Sequence, residues 1–103
     1  MALFNALMRY KDQRQILRFD MHGDTKATIH LINGDDCIVF MANQYIVDEA
    51  DVILAARPPK AEYMIYNDWD KVSSAAEQRA QRENISIMKF GRFAYRLDEI
   101  GSG

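Results

Sequence analysis

Apolar and polar positions alternate along this chain with two different periods, and the switches between them mark out its elements. From residue 2 to 13 the apolar side chains Leu3, Phe4, Leu7 and Met8 recur at helical spacing, with Arg9, Lys11, Asp12 and Gln13 on the polar side. From Gln15 to Met21 the period drops to two. Leu17, Phe19 and Met21 face one way, Arg18 and Asp20 the other, which predicts a half-buried strand. His22-Gly23-Asp24 reads as a turn, and Lys26 to Ile32, rich in β-formers, as a second strand. Asn33-Gly34 then predicts a two-residue hairpin turn, because both residues tolerate positive φ. Such a loop would pair Ile32 with Asp35, Leu31 with Asp36 and His30 with Cys37. The run Cys37 to Met41 is apolar throughout, as in a central strand covered on both faces.

A helix should follow, with Asp48 as its N-cap, Glu49 and Asp51 in the first turn, and Val47 and Val52 as a hydrophobic staple. Its expected buried stripe is Ala50, Ile53 and Leu54, and Pro58-Pro59 ends it. Ala61 to Phe90 reads as strand, turn, helix, strand. Tyr63 to Tyr66 is the first strand. A helix from about Lys71 to Glu83 is capped by Asp68 or Asp70, with Val72, Ala75, Ala76 and Ala80 inward. Asn84 closes it, and Ile85 to Met88 is the last strand. A strand–helix–strand of this length implies parallel pairing through a right-handed crossover. Residues 92–100 fit a helix or a strand, and a short helix covering a sheet edge is the reading preferred here.

The expected architecture is therefore mixed α/β. It has an N-terminal helix, a three-stranded antiparallel meander and then helix-strand-helix-strand, all in a single sheet layer flanked by helices. Residues 1–100 form one compact domain, with 101–103 a short Gly-Ser-Gly tail outside it.

This order of elements resembles the restriction-endonuclease-like fold, whose core begins helix, three strands, helix, strand. The resemblance implies nuclease chemistry, in which an Asp near the second strand and a Glu-x-Lys on the third hold a divalent metal and activate water. The sequence departs from that pattern. It contains no Glu-x-Lys, and the nearest substitute is Asp24-Thr25-Lys26, with Asp36 as a further acid. The meander would set Asp24 and Asp36 a strand length apart.

Composition narrows the functional classes. A net charge of −2 gives no global attraction to nucleic acid. One cysteine excludes an intrachain disulfide and the cysteine-rich zinc sites. No run approaches the length of a membrane span, and the N-terminus lacks the pattern of a secretion signal, which together predict a cytoplasmic protein. Between residues 21 and 56 Lys26 stands alone against Asp24, Asp35, Asp36, Asp48, Glu49 and Asp51, an acidic belt that could face a basic partner.

Two groups are candidate binding residues. The first is the corner Tyr66-Asn67-Asp68-Trp69-Asp70, which places the only tryptophan at the C-terminal end of a strand, where open α/β sheets collect binding sites. The second is the basic set Arg79, Arg82, Arg92 and Arg96, suited to phosphate or to an acidic protein. The His30–Cys37 pair could be nucleophilic but lacks an evident orienting carboxylate. The expectation is a non-enzymatic binding or regulatory protein without cofactor or metal. It would engage a protein partner, with nucleic acid a lesser candidate, as a phage- or plasmid-type inhibitor of nucleic-acid-handling machinery does. Homodimerisation through Leu3, Leu7 and Met8 is plausible. The alternative is a small metal-dependent nuclease or hydrolase using Asp24, Lys26 and Asp36.

Overall fold

A computed structural model describes residues 3–42, 45–67 and 70–102. The elements follow in the order α1 (Leu3–Asp12), β1 (Ile16–Met21), β2 (Lys26–Leu31), β3 (Asp36–Ala42), β4 (Ile46–Val47), α2 (Glu49–Ala56), β5 (Tyr63–Tyr66), β6 (Lys71–Val72), α3 (Ser74–Glu83), β7 (Ser86–Lys89) and α4 (Phe90–Ser102). The main sheet has the order β1-β2-β3-β5-β7. β1, β2 and β3 are antiparallel neighbours, and β5 and β7 extend the sheet parallel to β3. The mixed α/β architecture is the one expected.

Side chains on β3 alternate between two cores. Cys37, Val39 and Met41 join α1 and α4, through Leu3, Leu7, Tyr10, Phe93 and Leu97, on one face. Ile38, Phe40 and Ala42 join α2 and α3, through Val52, Ala55, Ala76 and Ala80, on the other. This double coverage accounts for the continuous apolar run in β3. The second core takes no side chain from β1 or β2, so that half of the sheet presents Arg18, Asp20, Thr28 and His30 on an open face.

Several local expectations are revised. The hairpin loop has three residues, Ile32-Asn33-Gly34. It is closed by Leu31 N–H donating to Asp35 O at 2.7 Å and Gly34 N–H donating to Leu31 O at 3.0 Å, with Gly34 at φ +95°. A type I turn followed by a left-handed glycine uses one more residue than the two-residue turn. The register slips accordingly, so that His30 pairs with Asp36, and Cys37 with Ile29. His30 and Cys37 therefore lie on opposite faces and form no dyad.

The helix expected from Lys71 starts at Ser74. Ser73 is its cap, accepting from Ala76 N–H at 3.1 Å, because Lys71 and Val72 are taken into β6. Ala75 is exposed, while Ala76 and Ala80 carry the burial. In α2 Asp48 is the N-cap as expected, and the structure adds a capping box in which the Asp51 carboxylate accepts from Asp48 N–H at 3.0 Å. The buried stripe there is Val52 and Ala55, whereas Ile53 and Leu54 are exposed. The tail is a helix packed on the sheet face, and it continues through Ser102. Leu3 and Leu7 are completely buried under their own sheet, so they are not available as a dimer face.

Candidate interaction surface

β3, β5 and β7 run parallel, so their C-terminal ends share one end of the sheet. A small second sheet lies there. β4 and β6 pair in parallel, with Ile46 beside Lys71 and Val47 beside Val72. Each of these short strands leads directly into the helix that follows it, α2 after β4 and α3 after β6. Lys71 N–H donates to Tyr45 O at 3.0 Å and Ser73 N–H to Val47 O at 2.9 Å. The ribbon thus binds the expected corner to a segment that the corner does not adjoin in sequence.

At the corner, Asn67 and Asp70 are both buried. Asn67 Nδ2 donates to Asp70 Oδ2 at 3.1 Å, and Asp70 N–H donates to Asn67 O at 3.0 Å. Asp70 thereby closes the turn instead of capping α3. Tyr66 is half-buried in the core beneath. Asp68 and Trp69 fall outside the described residues. Beside β6, which follows this corner, Tyr45 is 67% and Ile46 52% exposed. Two large apolar side chains held at the solvent surface by a paired strand were not singled out in the sequence. Their signal was the β-forming run Tyr45-Ile46-Val47 immediately before the Asp48 cap.

The basic set divides between the two faces. Arg79 lies 3.7 Å from Glu49 and 3.4 Å from Glu83, and Arg82 lies 3.9 Å from Glu49, so both tie α3 to α2. Arg96 donates to Tyr63 Oη at 3.3 Å and lies 3.7 Å from Glu99, on the opposite side of the sheet; Arg92, on the same helix, is exposed. The four arginines do not make one patch. The acidic belt is likewise dispersed. Asp24 lies in the β1–β2 turn, Asp35 and Asp36 at the other end of the sheet, and Asp48, Glu49 and Asp51 at the start of α2.

The residues considered for catalysis are separated and engaged elsewhere. Lys26 is 8% exposed, and its Nζ donates to the carbonyls of Leu54, at 3.1 Å, and Arg57, at 2.7 Å, as a cap on the C-terminus of α2. Burial, followed by the neighbouring charge of Arg57, lowers its pKa. Asp24 precedes β2, whereas Asp36 pairs with His30 near the end of that strand, so the two acids sit at opposite ends.

His30 is held on both sides. Its Nδ1 lies 2.7 Å from Asp36 Oδ1 and its Nε2 2.8 Å from Asp20 Oδ2. Ionised carboxylates only accept, so the doubly protonated ring, which can donate from both nitrogens, is the form this arrangement favours. The hydrogen bonds accepted by Asp20 and then by Asp36 raise the pKa of His30, and the bond donated by His30 lowers that of Asp20. An imidazole bound in this way cannot also serve as a base or metal ligand. Among the described residues no three His, Cys, Asp or Glu side chains converge to hold a metal ion.

A shallow cavity of about 670 Å³ opens at the far end of the sheet, lined in part by Asp35, Asp36, Cys37, Glu62 and Arg96. Burial pushes the Cys37 thiol up to about 12, so it is a poor nucleophile. The Glu62 carboxylate accepts from Ile38 N–H at 3.2 Å. No described helix is long and apolar enough to cross a membrane. No protein-family model, curated protein or solved structure matches the chain.

Proposed function

We propose that this chain is a small binding protein. It engages a protein partner through the β4–β6 ribbon, with Tyr45 and Ile46 as the apolar contacts and the hydrogen-bonded Asn67–Asp70 pair beside them. The observation that carries this reading is the pair of exposed apolar side chains, Tyr45 and Ile46, on a segment whose backbone pairs with β6 directly after the turn at the C-terminal end of the parallel strands. That end is the usual location of binding sites in open α/β sheets, and aromatic side chains at such positions anchor interfaces. Trp69, which stands between Asn67 and Asp70 in the sequence, is proposed for the same contact. Binding here regulates the partner and leaves it chemically unchanged in this reading, which is supported by the engagement of His30 and Lys26 in structural hydrogen bonds and the burial of Cys37.

The partner belongs to nucleic-acid-handling machinery in this proposal. That element of the reading rests on the resemblance in element order alone. The competing reading, a metal-dependent nuclease with Asp24, Lys26 and Asp36, needs a divalent ion between groups that the fold holds apart.

Incubation with labelled single- and double-stranded DNA and RNA, in Mg²⁺ or Mn²⁺, separates the two. The binding reading expects all four substrates intact. Cleavage that disappears in Asp24→Ala would refute it.

A further inference from the structure

Among the described residues β1 is the outer strand of the sheet and pairs only with β2. Antiparallel pairs alternate between residues that exchange backbone hydrogen bonds and residues that do not. His22 N–H donates inward to Lys26 O at 2.8 Å, which sets the phase. His22, Asp20 and Arg18 then bond toward β2, while Met21 and Phe19 turn their N–H and C=O groups to the free edge.

The side chains along this edge are complementary to themselves about Phe19. Arg18 and Asp20 flank it on the open sheet face, and Leu17 and Met21 flank it at the next positions. Arg18 makes no ion pair within 4 Å among the described residues. Leu17, the extra residue of a bulge between Ile16 and Arg18, is 56% exposed. Phe4, half exposed on α1, meets the Phe19 ring edge-on at 5.6 Å between centroids and extends the apolar strip.

We propose that the β1 edge pairs antiparallel with the β1 edge of a second copy, about a two-fold axis at Phe19. In this register Phe19 and its counterpart exchange both backbone hydrogen bonds. The register is allowed because Phe19 is one of the outward-bonding residues. Arg18 of each copy falls opposite Asp20 of the other, a non-bonded position where side chains approach closely and opposite charges stabilise pairing. Leu17 falls opposite Met21. The contact is isologous, so it closes at two chains. It also satisfies a row of backbone groups that would otherwise invite uncontrolled strand addition.

Sedimentation velocity over a concentration series reads the assembly directly. The mass should rise from 11.9 kDa toward twice that value. Arg18→Asp and Asp20→Arg should each remain single chains, because each sets like charges opposite one another. An equimolar mixture of the two should form a mixed dimer, since each charge then meets its opposite. Circular dichroism confirms that both variants fold. Hydrogen exchange on the unaltered protein supplies a second reading, with the Phe19 and Met21 amides slowing as concentration rises. A chain that stays single at every concentration overturns the proposal. So does a dimer that both variants still form, or exchange at Phe19 and Met21 that does not change with concentration.

Discussion

The hydroxyl of Ser73 donates to the carboxylate of Asp48 at 3.1 Å, so the cap of α3 is fastened to the cap of α2. The same two residues bound the β4–β6 ribbon at its helical end. One short network therefore sets both helix starts and the position of Tyr45 and Ile46. Each cap removed on its own should cost about 1 kcal/mol. If the caps act as a unit, Asp48→Ala and Ser73→Ala combined should cost measurably less than the two single effects added. Urea unfolding of the four proteins in the cycle checks this, and strict additivity would show the caps to be independent.

The His30 clamp predicts a defined pH window. The raised pKa of His30 means that its contribution is full below the ordinary imidazole value and is lost as pH rises through the folded-state value. The lowered pKa of Asp20 means that its contribution is present above the ordinary carboxylate value and is lost as pH falls through the folded-state value. The stability difference between the unaltered protein and His30→Gln should thus be widest between these limits and shrink on both sides. Thermal melts across the pH range measure it, and an NMR titration of the His30 ring should give a midpoint above 6.5.

Replacing Lys26 with Met keeps the buried stem but removes the donor to Leu54 O and Arg57 O. Roughly 1–3 kcal/mol should be lost, because two carbonyls lose a charged partner in a poorly solvated place. Hydrogen exchange should also quicken at the C-terminal end of α2. Loss of stability without faster exchange there would place the role of Lys26 elsewhere.

Cys37 should resist alkylation by iodoacetamide at pH 8 in the folded protein and react readily in denaturant. The residue is 6% exposed, and burial pushes its thiol up to about 12. Rapid labelling without denaturant would show that the strand opens locally.

The sequence revealed those features that local chemistry determines. Asp48 with Asp51, Val47 with Val52, and Asn84 as a left-handed cap at φ 57° are each fixed by residues within a few positions. The strand Tyr63–Tyr66 was legible in the same way. What was hidden depended on partners distant in the chain. Lys71 and Val72 belong to a strand only because Ile46 and Val47 stand beside them. The pairing of His30 with Asp36 turns on one added loop residue, which moves a catalytic-looking Cys–His pair to opposite faces. Arg79 and Arg96 are similar in sequence context, yet their helices cover opposite sides of the sheet. The corner was legible as a turn, but its neighbours Tyr45 and Ile46 were not, because two-residue strands carry no periodicity.

The proposed contact surface is tested most directly by a photoreactive benzoylphenylalanine at position 45, irradiated in the cells that make the protein. Tyr95 on α4 is as exposed as Tyr45, both at 67%, and supplies a matched control position far along the chain. The account predicts one discrete heavier adduct from position 45, lost when Ile46 is changed to Lys, and none from position 95. Equal adducts from both positions, or none from position 45, would contradict it.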